Sequence, residues 1–278
     1  MIYLILAILA SMAVAVVMRL SEKHIRNNIS MLASNYLMCC VLAGAYADVL
    51  RGSLAQAGIG FAVGLGLISG VFYLSSFVLY QWNIRVNGVT LSALFMKMGV
   101  IVSILTAICF FHEVPKGMQV AGMLLACAAI VVIHFEKGNS RVASGVGLIA
   151  LFVAGGLTDA MSKVYEELGV ASLKNGYLFF TFVAAFVLCV GVCAYKRQRL
   201  CAADLGFGLL IGIPNYFSAR FLLYALSQVP AVIAYPTYSV GSIIAVMLVS
   251  RVVFQERLSR RQIVALFMIL AALILLNV

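Results

Sequence analysis

Apolar residues run along this chain in long blocks, and polar or charged residues fall in short clusters between them. The blocks cover roughly Ile2–Met18, Ile29–Ala47, Ala57–Leu79, Gly88–Phe111, Gly117–Phe135, Gly145–Tyr165, Asn175–Tyr195, Leu205–Leu226, Pro230–Val253 and Ser259–Asn277. Each is about as long as the 20 or so apolar residues a helix needs to cross a bilayer. The blocks are apolar all round, as expected of helices enclosed by lipid and by one another. A transmembrane β-barrel would instead need alternating segments of about ten residues. Stretches such as Val120–Phe135 do not alternate. The pattern predicts an all-α, polytopic membrane protein with ten transmembrane helices.

Composition strengthens that picture. Hydrophobic residues make up 64% of the 278 positions and charged residues 10%, far from the roughly 45–50% and 25% of soluble domains. Ten spans leave only short loops, which excludes a separate soluble catalytic domain, a nucleic-acid-binding module and a disordered chain. The net charge is +10, from 19 Lys and Arg against 9 Asp and Glu. In a membrane protein such an excess lies against the anionic cytoplasmic leaflet. The cations are unevenly shared. Odd-numbered loops hold Arg19, Lys23, Arg26, Arg85, Lys137, Arg141, Lys196, Arg197, Arg199, Arg251, Arg257, Arg260 and Arg261, while even-numbered loops hold only Arg51, Lys116, Lys163 and Lys174. The positive-inside rule puts the first set in the cytoplasm, and both termini outside. The first apolar block has no basic residue before it and no clear small-residue cleavage site, so it reads as a retained span. The seven cysteines form no C-x-x-C pair and read as small hydrophobes, not as disulfides or metal ligands.

The chain repeats itself. Phe111-x-Glu113 with Gln119 matches Phe254-x-Glu256 with Gln262 at constant offset. With one extra residue of offset, Phe77-x-Leu79-Tyr80 matches Phe221-x-Leu223-Tyr224, Arg19 matches Lys163 and Glu22 matches Glu166. Each unit, 1–138 and 139–278, holds five helices. An odd number of spans turns the second copy upside down, giving an inverted-topology repeat of the kind found in secondary transporters. Five plus five helices, with F-x-E and a following Gln before the last helix of each half, resembles the EamA-type ten-helix branch of the drug/metabolite transporter superfamily. The first copy departs from that pattern, reading Phe-His-Glu-Val-Pro with no Gly before Glu113. The resemblance implies a basket of helices around a central cavity. It also implies transport of small metabolites such as amino acids, drugs or nucleotide-type solutes, without ATP hydrolysis. No G-x-x-x-x-G-K-[ST] loop is present, and no cofactor is expected. The repeated glutamates read as helix-start residues, with Ser259 and Gln262 as a capping box for the last span and Pro115 at a helix start. A gate at these glutamates is the alternative.

Three charges lie well inside spans: Lys97, Asp159 and Arg220. Placing a charge at the centre of a membrane helix costs at least about 2.5–3.5 kcal/mol on insertion scales, so such residues are functional candidates by default. The bland alternative is an ion pair, Asp159 with Arg220, that only locks two helices. Matching interruptions at Gly70 and at Pro214, Asn215 and Tyr216 mark a second candidate region. Tyr235-Pro236-Thr237-Tyr238 marks a third, with ring faces and hydroxyls for a ligand. The predicted substrate-binding set is therefore Lys97, Asp159, Arg220, Asn215, Tyr216, Tyr235 and Tyr238. The glycine pairs Gly60/Gly64, Gly66/Gly70 and Gly208/Gly212 read as close helix packing. Asn35, Tyr36 and Ser11 are weaker pocket candidates.

These observations predict a secondary active transporter, not an enzyme. It would move a small polar or amphipathic metabolite by alternating access across a bacterial plasma membrane. Two intramembrane cations against one anion favour an amino acid or other zwitterionic or anionic solute. Asp159 is the one deeply placed acid and the candidate for proton coupling. An uncoupled facilitator and a multidrug or amine exporter are the rivals. A membrane-embedded enzyme fits poorly, since His24, His112 and His134 lie near span ends. The expected partners are the substrate and membrane lipids, without nucleic acid, in a monomer or homodimer.

Overall fold

A computed structural model describes residues 1–21, 24–47, 57–87, 89–134, 144–197, 201–253 and 260–276. Glu22, Lys23, Arg51, Gly88, Phe135, Lys137, Arg141, Arg199, Phe254, Glu256, Arg257, Ser259 and Asn277, on which several expectations rest, lie outside the described residues. So do the side chains of Arg261 and Gln262.

The described chain is helical, without a strand: α1 (Ile2–Ser21), α2 (Asn28–Tyr46), α3 (Ile59–Asn87), α4 (Val89–Met98), α5 (Val100–Phe111), α6 (Gly117–His134), α7 (Gly145–Leu168), α8 (Lys174–Tyr195), α9 (Ala202–Leu226), α10 (Ala231–Val252) and α11 (Arg260–Leu276). Among the described residues, eight stretches are long and apolar enough to cross a membrane, and α6 and α11 supply shorter apolar helices. These ten fall on the ten predicted spans. Rows of large apolar side chains stay open, including Ile2, Ile5 and Leu9 on α1, Phe110 on α5 and Phe267 on α11. In water that would drive aggregation. In lipid it carries no penalty, because the surrounding tails are as apolar as the side chains. The protein is a multi-pass membrane protein.

Two boundaries differ from expectation. α3 runs on to Asn87, past the predicted end at Leu79. Asn83 supports that extension by donating to the carbonyls of Leu79 (2.8 Å) and Gly147 (2.9 Å). Nor does Gly70 interrupt α3, and Pro214 and Pro236 lie inside continuous α9 and α10. A proline removes one helix donor, and in lipid neighbouring helices can answer the freed groups. Two residues on from Leu210, whose carbonyl Pro214 frees, the Cys39 thiol donates to the Gly212 carbonyl at 3.3 Å and ties α2 to α9. The break occurs instead at Gly99, which separates α4 from α5 within the fourth span.

The described chain forms two compact units. Unit 1 comprises 1–74 and 164–227, and unit 2 comprises 75–163 and 228–278. Each draws on both halves of the sequence, so these bodies divide the chain differently from the repeat. In unit 1, α2 packs against α8 and α9, and α1 packs against α9. Gly208 and Gly212 let α9 approach α2 at Met31, Ser34, Asn35 and Met38. In unit 2, α6 packs against α11, and α5 against α10. Its core gathers Ala126, Ala129 and Ile130 with Val240, Ile269 and Ala272. Small residues dominate these contacts because helices in lipid associate by close van der Waals packing and hydrogen bonds.

Candidate functional site

The candidate residues separate into two clusters, one in each unit. In unit 2, Lys97 lies two residues before the break at Gly99, and Asp159 lies three residues after Gly156 on α7. The two glycines are pressed together. A Cβ built on Gly99 would stand 2.9 Å from the Gly156 nitrogen, and one on Gly156 would run into the Gly99 carbonyl and Val102. Ser103 then donates to the Gly156 carbonyl at 3.0 Å. This backbone contact sets the fourth span against α7, and it brings Lys97 and Asp159 within Coulombic reach of each other. No direct ion pair joins them. Lys97 keeps an exposed face and Asp159 a partly exposed one.

Tyr235 on α10 is 1% exposed, and its hydroxyl donates to the main-chain carbonyl of Asp159 at 2.7 Å. It therefore orients the helix segment that carries the acid and presents no hydroxyl of its own. Tyr238, one turn along, is half-buried, and its carbonyl accepts from Ser242 at 2.7 Å.

Glu113 holds the other end of this cluster. α5 ends at His112, which adopts left-handed backbone (φ 53) and donates its N–H to the Ala107 carbonyl. The turn delivers the Glu113 carboxylate to the start of α10, where it accepts from Ala231 N–H and Val232 N–H, each at 3.0 Å. The residue before α10 is Pro230, whose side chain caps nothing. Glu113 therefore supplies, from a distance, the acceptors that the first helical N–H groups need. Lys163, buried on α7, completes the set with an ion pair to Glu113 of 2.8 Å. The expectation that Glu113 serves its own following helix is thus corrected. There the local acceptor is Gln119, whose Oε1 takes the Lys116 N–H at 3.0 Å. Burial pushes the Glu113 carboxyl up, but the Lys163 hydrogen bond and the two backbone donors outweigh it and hold it below its ordinary range. Pro230 at a helix start, with no side-chain acceptor, was the sequence signal that a remote acid was needed.

In unit 1, Arg220 does not point at bare hydrocarbon. Its guanidinium lies 4.0 Å from the ring centre of Tyr46, with Tyr224 at 5.7 Å and Tyr216 at 6.0 Å. Within unit 2 the cation in Coulombic reach of Asp159 is Lys97. Asn215 is half-buried and donates to Asn35 Oδ1 at 3.2 Å. Tyr216 is fully buried, stacked on Tyr46 at 6.1 Å and edge-on to Phe182 at 6.2 Å. Asn215 and Tyr216 thus join α9 to its neighbours. The residues that composition and spacing did not single out are Tyr46, Tyr224 and Lys174.

The EamA-like transporter family matches residues 143–278. Over those residues the chain is similar to the EamA-like transporter family. The matched segment carries Asp159, Lys163, Arg220, Tyr235 and Tyr238. Along nearly its whole length the chain is similar to an uncharacterized protein of Haemophilus influenzae, at 24% identity over 273 residues, covering 92% of this chain and 91% of that protein. A crystal structure of a protein superposes with a TM-score of 0.78 at 14% identity, covering 99% of this chain and 94% of that one. That likeness is one of fold. EamA-like proteins are membrane transporters.

Proposed function

We propose that this protein is a secondary active transporter of the bacterial plasma membrane, moving a small zwitterionic or anionic metabolite such as an amino acid. The observation that carries this reading is the facing of Lys97 and Asp159. Two opposite charges inside spans, within Coulombic reach of each other and without a direct ion pair, can each take an opposite charge from a solute. A buried pair kept only to lock helices would close to a direct hydrogen-bonded contact, because that contact is what offsets desolvation. A solute carboxylate would meet Lys97, and a solute ammonium or a proton would meet Asp159. The break at Gly99 lies beside the pair, where a change of helix angle moves Lys97 without unwinding either α4 or α5.

In this reading the two halves, 1–138 and 139–278, are inverted copies that exchange roles during alternating access. Asp159 takes up and releases the coupling proton. The substrate approaches from a face set by the loop cations, with both termini external. The set of contacts in this reading is Lys97, Asp159 and Tyr238, with Tyr235 holding Asp159 in place.

Proteoliposomes test this directly. A thermal-shift screen of amino acids, organic acids and amines first finds a ligand, since 100 times Kd stabilises by about 2.7 kcal/mol. Uptake of that ligand should then follow an imposed proton gradient. Asp159→Asn should abolish gradient-driven uptake and retain counterflow, and Lys97→Met should weaken binding. Uptake indifferent to the gradient in the wild type would overturn coupling and make the protein a facilitator. Ligand binding unaffected by either substitution would overturn the site.

A further inference from the structure

Unit 1 carries two cations that no described acid neutralises. Arg220 and Lys174 flank the same ring, Tyr224, at 5.7 and 5.8 Å. Lys174 is 7% exposed and Arg220 half-buried, and neither forms an ion pair with a described acidic residue. Like charges beside one ring repel each other, and partial burial strengthens the repulsion. Aromatic faces offset a part of that cost, but they supply no counter-charge.

The same corner holds a buried polar atom without a hydrogen-bond partner among the described residues, Asn175 Oδ1, and a buried hydroxyl, that of Tyr216, whose charged neighbour is Arg220. Both belong to residues that touch Tyr46. Tyr216 stacks on its ring, and Asn175 Nδ2 donates to its carbonyl at 3.1 Å. Buried polar atoms are nearly always satisfied, so the orphan points to a missing polar group. The geometry of Arg220 says what kind. Its guanidinium carbon lies 4.0 Å from the Tyr46 ring centre, and its N–H groups, which also reach Tyr216, form a planar fork that matches two oxygens of one anion.

We infer that Arg220, laid on Tyr46 and joined by Lys174 at Tyr224, binds an oxyanion: a phosphate or a carboxylate. The site is assembled from helix ends. Tyr46 closes α2, Lys174 opens α8, and Tyr3, near the start of α1, packs on Tyr224 at 5.7 Å. Helix ends with tyrosines belong at the level of lipid headgroups. The oxyanion therefore has two sources, a lipid phosphate in the leaflet or a free anion from water. Lys97 and Asp159 take no part, so this inference stands or falls apart from the transport reading.

The test uses the full-length protein, purified in a non-ionic detergent. Calorimetric titration with inorganic phosphate and with acetate is run at fixed ionic strength against chloride. In parallel, thermal unfolding is compared in nanodiscs of phosphatidylcholine with and without phosphatidylglycerol. Saturable binding of a free oxyanion, or stabilisation by phosphatidylglycerol, is expected in the wild type, and which arm responds tells the source. Arg220→Gln should weaken the response about tenfold or more, the loss of a charge-assisted hydrogen bond. Arg220→Lys, which keeps the charge without the fork, should fall between. Lys174→Gln provides a second reading should Arg220→Gln not fold. No response in either arm, a response equal to that of chloride, or one unchanged in Arg220→Gln and Lys174→Gln would overturn the site.

Discussion

Glu113 and Lys163 stand 2.8 Å apart, and the same carboxylate closes the N-terminus of α10 through two N–H groups. One acid thus ties three helices of unit 2: it follows α5, pairs with α7 and caps α10. The first copy of the F-x-E motif, read from sequence as a local helix start, is here a long-range clasp. The clasp also ends the helix that carries Tyr235, and so holds the segment that orients Asp159.

Removing the carboxylate should therefore cost more than an ordinary cap. Glu113→Ala leaves Lys163 buried without its partner and two N–H groups open, a loss of roughly 3 kcal/mol or more. Thermal unfolding in detergent measures it. Glu113→Leu with Lys163→Met, which removes both charges, should recover part of the loss. Equal damage from the single and double changes would show that the pair itself is not the source.

Stability should also fall in acid through this group. The folded Glu113 carboxyl lies below its ordinary range, so the unfolded chain takes up the proton first. Its contribution is full above the ordinary glutamate pKa of about 4.3 and is lost as pH falls through the lowered folded value. Solvent reaches part of the group, which limits the size of the effect. An acid unfolding series should show a stability loss below about pH 4 that Glu113→Gln lacks. Parallel curves would reject the assignment.

The glycine contact between the fourth span and α7 allows a sharper test. Gly156→Ala puts a methyl into the Gly99 carbonyl and Val102. Neither is a flexible side-chain end that could swing away, so the helices must separate. Overpacking of this kind costs about 1–3 kcal/mol, and here it also moves Lys97 from Asp159. A reduced unfolding temperature together with weakened ligand binding is expected. Gly155→Ala, whose Cβ would meet nothing nearer than 3.5 Å, should have little effect on either.

The positive-inside rule, applied to the loop cations, gives a testable orientation. A C-terminal alkaline-phosphatase fusion should be active and a C-terminal fluorescent-protein fusion dark, with the segment around Lys196 cytoplasmic. The reverse pattern would overturn the orientation and leave the number of spans untouched.

Much of the fold was legible along the chain. Ten apolar blocks became helical segments, eight of them long and apolar enough to cross a membrane among the described residues, because a backbone in lipid must satisfy its own hydrogen bonds and does so as helix wherever side chains allow. The candidate site was legible in part. Lys97, Asp159 and Arg220 stood out because a charge in an apolar run is expensive, and that expense is visible one residue at a time. Their partners were not visible. Gly70 and Pro214 promised interruptions and gave none, while Gly99, one of many glycines, became the break because it meets Gly156.

The sequence by itself determined the class of the protein: a membrane-spanning helical chain with charge on one set of loops and an EamA-like second half. Hydropathy and charge act locally, against lipid and water, so a linear reading captures them. Only the tertiary structure decided that Lys97 faces Asp159, that Arg220 lies on Tyr46, and that Glu113 caps a helix starting 118 residues later. Those pairings depend on which helices touch and at what height. In lipid that choice is made by close packing of small residues and by single hydrogen bonds, not by the apolar pattern that every span here shares.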